Sequence, residues 1–68
     1  MESEITKEEF QATFNDWTQE ICDEDVAIML QVSVSTIRRW RSGANAPHRF
    51  MRKSILDELK KEIMEDQA

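Results

Sequence analysis

Residues 23–43 read DEDVAIMLQVSVSTIRRWRSG. Two short apolar-periodic segments flank Gln31-Val32-Ser33. Val26, Ala27, Met29 and Leu30 give the first an apolar face, while Ile37 and Trp40, three apart, give the second its own. Cys22 or Asp23 caps the first segment, with Glu24 and Asp25 in its opening turn, where the helix dipole favours acids. Ser33 is a good N-cap for the second, and Val32 with Ile37 makes its hydrophobic staple. Gly43 ends that segment, because glycine takes the left-handed conformation without a Cβ penalty. Two helices crossing at about 90–120° through a tight turn need a small residue at the crossing, and Ala27 supplies it. The spacing predicts a helix-turn-helix over 23–43 that turns Ser35, Arg38, Arg39 and Ser42 outward.

Outward from this unit the pattern stays helical. Upstream, Thr6-Lys7-Glu8-Glu9 fits a capping box, and Ile5 with Phe10 fits a staple. Phe10, Phe14, Trp17 and Ile21 then recur on one helical face, which places Trp17, like Trp40, in the core. Downstream, Pro47 fits the first turn of a last helix, where its missing N–H costs nothing. Met51, Ile55, Leu59 and Ile63 form a stripe with Phe50 and Leu56 beside it, and the pattern continues to about Glu65. The expected fold is all-α: one compact four-helix domain over 1–68 with a long C-terminal helix. Residues 1–5 and 66–68 are expected to fray.

Composition narrows the function. Sixty-eight residues and 8.0 kDa hold one domain, too small for a deep pocket between two lobes. One Gly and one Pro exclude a turn-rich all-β fold. A single Cys permits no internal disulfide and suits a reducing cytoplasm. No apolar run approaches the ~18 residues of a membrane span, and the acidic start MESEITKEE lacks the apolar stretch of a secretory signal. A cytoplasmic protein is expected. Carboxylates are numerous, but no base is paired with a nucleophile, so the chain does not read as an enzyme. One His and one Cys, far apart, predict no metal site, and no cofactor is expected. Cys22 reads as a helix-junction residue, His48 as a surface residue, and Met29 and Met51 as core filling.

The net charge of -5 argues against nucleic acid until its arrangement is counted. Residues 1–30 carry nine acids and one Lys. Residues 31–53 carry Arg38, Arg39, Arg41, Arg49, Arg52 and Lys53 and no acid. Residues 54–68 return to acidic. Every arginine therefore falls between 38 and 52, a concentration that marks a candidate interaction surface.

The run VAIMLQVSVSTIRRWRSGANAP, residues 26–47, resembles the helix-turn-helix of the phage repressor/Cro-like (Xre-type) transcription regulators. Val26-Ala27, Leu30, the Val32-Ser33 turn, Thr36-Ile37, Trp40, Ser42-Gly43 and Pro47 carry the likeness. The resemblance implies a lambda-repressor-like domain that binds double-stranded DNA, its helix at about 33–42 in the major groove. It places Val34, Ser35 and Arg39 at the bases with Arg38 close by. Val34 would meet a thymine methyl, and a bidentate contact from Arg39 to guanine is worth about 1–3 kcal/mol of discrimination. Ser33, Arg41, Ser42 and Asn45 would lie near phosphates, extended by Arg49, Arg52 and Lys53.

Two departures stand out. Gln31 occupies a position where relatives commonly carry Gly, so the turn is expected to be strained or altered. Asp23, Glu24 and Asp25 stand where relatives point a helix N-terminus at a phosphate, and three acids there repel DNA. A homodimer on a palindromic site is the usual arrangement. Leu56, Leu59, Ile63 and Met64 are its candidate surface, unless they pack against Phe10 and Phe14. The alternative to a DNA-binding regulator is a protein-binding module on the same fold, docking through its acidic first half or its apolar last helix. An antitoxin-like protein would do both.

Overall fold

Thr6 opens the first helix in the computed structural model, which describes residues 4–66. Its hydroxyl accepts the Glu9 N–H at 3.0 Å, and the Glu9 carboxylate accepts the Thr6 N–H at 2.9 Å, completing the capping box. This helix, α1, spans Lys7–Trp17. It is followed by α2, Asp23–Leu30, α3, Val34–Ser42, and α4, Arg49–Asp66. The described residues contain no strand, so the chain is a small all-α, four-helix domain. No helix among them is long and apolar enough to cross a membrane.

The core follows from the apolar spacing. Phe10, Phe14, Val26, Ala27, Ile37, Trp40, Leu56 and Leu59 are buried together, so every helix contributes two residues. The rings of Phe10 and Phe14 stack at 5.5 Å, and Trp40 meets both edge-on at 5.5 and 5.8 Å. Edge-to-face packing places the positive ring edge on the negative face, which adds to the area these side chains bury. Helix α1 packs on α3 and α4, and α2 packs on the same two.

Between α2 and α3 the chain turns as a Schellman motif. The Val32 N–H reaches the Ala27 carbonyl at 3.0 Å, and the Gln31 N–H reaches Ile28 at 3.3 Å. Gln31 sits there at φ 59°, in the left-handed region that glycine enters without cost. The substitution noted in the sequence therefore leaves the turn in place and strains it. Ser33 then caps α3, its hydroxyl accepting the Thr36 N–H at 3.1 Å.

Three expectations are revised. Trp17 is not core: it ends α1 and is 37% exposed, while Thr18 behind it is fully buried. Met51 and Phe50 are also exposed. The inward face of α4 runs through Arg52, Leu56, Leu59 and Ile63, and Met51 lies about 100° around the helix from Arg52. Pro47 is buried and lies outside α4, which begins two residues later. There His48 takes the cap: its Nδ1 accepts the Phe50 N–H at 3.2 Å, and its carbonyl accepts the Met51 N–H at 2.7 Å. Ile5 packs on the core and its carbonyl accepts from Arg52 at 2.9 Å. The fraying expected at residues 1–3, 67 and 68 lies outside the described residues.

Candidate nucleic-acid interface

Helix α3 is amphipathic. Ile37 and Trp40 anchor it in the core, while Ser35, Arg38, Arg39 and Ser42 are exposed. Their i, i+3, i+4, i+7 spacing makes one outward stripe. Arg39 has no ion-pair or hydrogen-bonding partner for its side chain among the described residues. Arg38 is 66% exposed and makes a long 3.5 Å contact with Asp23. Val34 is half-buried and packs against the core, so only part of its surface faces outward.

The remaining basic residues divide into two groups. Arg49 and Lys53 are exposed on the first turns of α4. Arg49 lies over the Phe50 ring at 4.9 Å, and Lys53 pairs with Asp57 at 3.2 Å. Such an exposed i, i+4 pair is worth only about 0.3–0.5 kcal/mol and yields readily to another anion.

Arg41 and Arg52, expected at phosphates, are half-buried and their guanidinium groups are engaged within the fold. Arg41 Nε donates to Asp23 Oδ1 at 2.6 Å, Nη1 to the Thr18 hydroxyl at 2.9 Å, and Nη2 to the carbonyls of Ile21 at 2.9 Å and Thr18 at 3.3 Å. Its guanidinium thus closes the corner between α1 and α2 and ties it to α3. Arg52 donates to the carbonyls of Pro47 and Ile5, both at 2.9 Å, joining the start of α4 to the residues before α1. In both cases the planar fork reaches carbonyls outside the helices.

The polar residues expected at phosphates are engaged locally. The Ser33 hydroxyl caps α3 and lies 2.9 Å from the Thr36 hydroxyl. The Ser42 hydroxyl donates to the Arg39 carbonyl at 3.2 Å and accepts the Ala44 N–H at 3.3 Å. Asn45 Oδ1 accepts the Ala46 N–H at 2.8 Å. All three residues are exposed, so each hydroxyl or amide keeps a solvent-facing side.

Asp23, which the sequence set against DNA, is held by Arg41 and approached by Arg38. Glu24 and Asp25 remain exposed and have no ion-pair partner among the described residues. The unfavourable charge at the start of α2 is thus reduced by one, not abolished.

Comparison with known proteins finds no matching family model, no matching curated protein and no matching solved structure.

Three residues that hold the site are not singled out by the sequence. Gln11 and Asn15 both donate to the Arg41 carbonyl, at 2.9 and 3.1 Å, and so satisfy an end of α3 from α1. Their i, i+4 spacing was the available signal. Thr18 is buried, bonds back to the Phe14 carbonyl at 2.6 Å and receives Arg41. It stands four residues after Phe14, on the buried side, but a threonine there reads as polar and external.

The dimer surface expected on α4 loses two of its four residues. Leu56 and Leu59 are buried within one copy, Ile63 is half-buried against the core, and Met64 is exposed. Leu56 and Leu59 fill the monomer core because α4 packs back on both α1 and α2.

Proposed function

We propose that this chain is a sequence-specific DNA-binding regulator, not an enzyme, that lays α3 in the major groove. One observation carries this reading. A tight turn sets α3 off from α2, and its outward stripe presents Ser35, Arg38 and Arg39 with no acid on the helix. A recognition helix needs that combination: a fixed crossing, an accessible N-terminal half, and donors for base edges. The likeness to repressor/Cro-like regulators supports the same reading, and a cytoplasmic location accords with it.

The parts take these roles. Ser35, Arg39 and the exposed part of Val34 read bases, with Arg38 beside them. Arg49 and Lys53 bind the phosphate backbone, joined by Ser33, Ser42 and Asn45 where their outer sides are free. Arg41 and Arg52 hold the frame instead. A helix of nine residues spans about 13 Å at 1.5 Å per residue and covers about four base pairs. One copy therefore reads a half-site, and a second copy would supply the rest, with half-sites one helical turn apart.

Fluorescence anisotropy on a selected duplex, repeated across a salt series, tests this. With two to four phosphate contacts, log K is expected to fall with log salt at a slope of about -2 to -4 per copy. Arg39→Ala should relax preference at one base position, whereas Lys53→Ala should weaken all sequences alike. No salt-dependent binding at low ionic strength would overturn the proposal.

A further inference from the structure

Away from α3 the chain carries a second surface that DNA binding does not use. Glu20, Ile21, Asp25, Ile28, Met29, Glu62 and Ile63 line a groove of about 590 Å³ between the α1–α2 corner, α2 and the end of α4. Its floor is apolar. Ile21, Met29 and Ile63 are half-buried against the core, and Ile28, 74% exposed, continues their apolar surface outward. Its rim is acidic. Glu20, Asp25 and Glu62 have no ion-pair partner among the described residues, and no cation lines the groove.

We infer that this groove docks a cationic amphipathic helix of a partner protein. Apolar side chains at i, i+3 or i+4 would fill the floor over Ile28, and flanking Lys or Arg would meet the three rim carboxylates. Charge complementarity selects this occupant over others. The acids do not form a metal cage: no group of three or more His, Cys, Asp or Glu among the described residues is placed to hold an ion. A nucleic acid is repelled by the rim. A second copy with its groove face to face would bring six carboxylates together. A second copy docking head to tail through exposed Phe50 and Met51 would set Arg49 and Lys53 near the rim but would form a ring or a filament, and sedimentation distinguishes it from a partner peptide. The groove shares no residue with α3, so this inference stands apart from the DNA-binding proposal.

The test uses the full chain and a synthetic peptide probe of about 14 Leu and Lys residues, with Leu at helical i, i+3, i+4, i+7 spacing. A peptide of scrambled order and equal charge is the control. NMR titration is expected to shift Ile21, Asp25, Ile28, Met29, Glu62 and Ile63. Anisotropy should show the scrambled peptide binding about tenfold more weakly, and Ile28→Asp reducing affinity for the ordered one by about tenfold. Glu62→Lys should weaken binding and flatten its salt dependence. Because Ile28 is exposed, Ile28→Asp should keep the parent circular dichroism and any duplex-DNA affinity.

Equal binding of both peptides, or shifts outside the groove, would overturn the inference. Sedimentation that shows a dimer abolished by Ile28→Asp would overturn it in favour of a second copy. Shifts at the groove on adding duplex DNA would overturn it in favour of nucleic acid.

Discussion

Arg41 illustrates how one side chain can leave the role its neighbours suggest. It lies in a run with Arg38 and Arg39, yet its side chain is only 23% exposed and makes one ion pair and three further hydrogen bonds to the α1–α2 corner. Hydrogen bonds to a charged group contribute about 1.5–3 kcal/mol where desolvated. Partial exposure and the coupling of bonds within one guanidinium keep the total well below their sum. Arg41→Ala is expected to destabilise the fold by about 2–3 kcal/mol in urea denaturation. Arg41→Lys should recover little, because an ammonium cannot reach a carboxylate and three oxygens with a planar fork. Gln31 has the opposite sign. At φ 59° it holds a left-handed conformation that glycine would relieve. Gln31→Gly is expected to stabilise by about 0.5–1 kcal/mol, a rise in Tm of about 2–8 °C for a domain of this size.

At the scale of elements, caps and stops decide where each helix begins and ends. Thr6, Ser33 and Gly43 do what their residue types indicate, since a cap is satisfied within three or four residues of itself. Gly43 carries a further constraint that only packing reveals. A Cβ there would lie 2.9 Å from the side-chain amide of Gln11, which is engaged with the Arg41 carbonyl. Gly43→Ala is therefore expected to cost about 1–2 kcal/mol, from the φ of 84° and from displacing Gln11. In a denaturation series, Gln11→Ala combined with Gly43→Ala should lose less than the sum of the two single changes. The start of α4 was read two residues early because Pro47 suits a first turn. The chain instead buries Pro47, whose carbonyl accepts from Arg52, and caps with His48.

For the whole molecule, the two tryptophans separate periodicity from packing. Both fit the apolar stripe, but Trp40 meets Phe10 and Phe14 in the centre while Trp17 ends its helix at the rim. Acrylamide should quench the parent more strongly than Trp17→Phe, whose remaining Trp40 is buried, so that the difference reports an accessible Trp17. Trp40→Ala is expected to cost about 3–5 kcal/mol, comparable to the roughly 3–5 kcal/mol net stability of so small a domain, so it should unfold. Trp17→Ala should leave a cooperative transition. The same scale rearranges charge. Of six basic residues between 31 and 53, Arg41 and Arg52 are spent on the frame. That leaves Arg38, Arg39, Arg49 and Lys53 on the surface, and it turns Asp23 from a repulsive charge into a partner.

Spacing and short-range bonds specify the four helices, the turn at 31–33, the caps at Thr6, Ser33 and Gly43 and most of the core, because these depend on residues a few positions apart. Ser35, Arg38 and Arg39 were legible as an outward stripe for the same reason: Ile37 and Trp40 fix which side of α3 faces in. Tertiary structure alone decided which arginines are free. Arg41 reaches Thr18, Ile21 and Asp23, eighteen or more residues away, and Arg52 reaches Ile5 across forty-seven. No local pattern encodes such pairings, since they arise only when separate loops expose unpaired carbonyls to a side chain long enough to meet them. The acidic groove has the same origin: Glu62 comes to line it with Glu20 and Asp25 only because the end of α4 returns to α2.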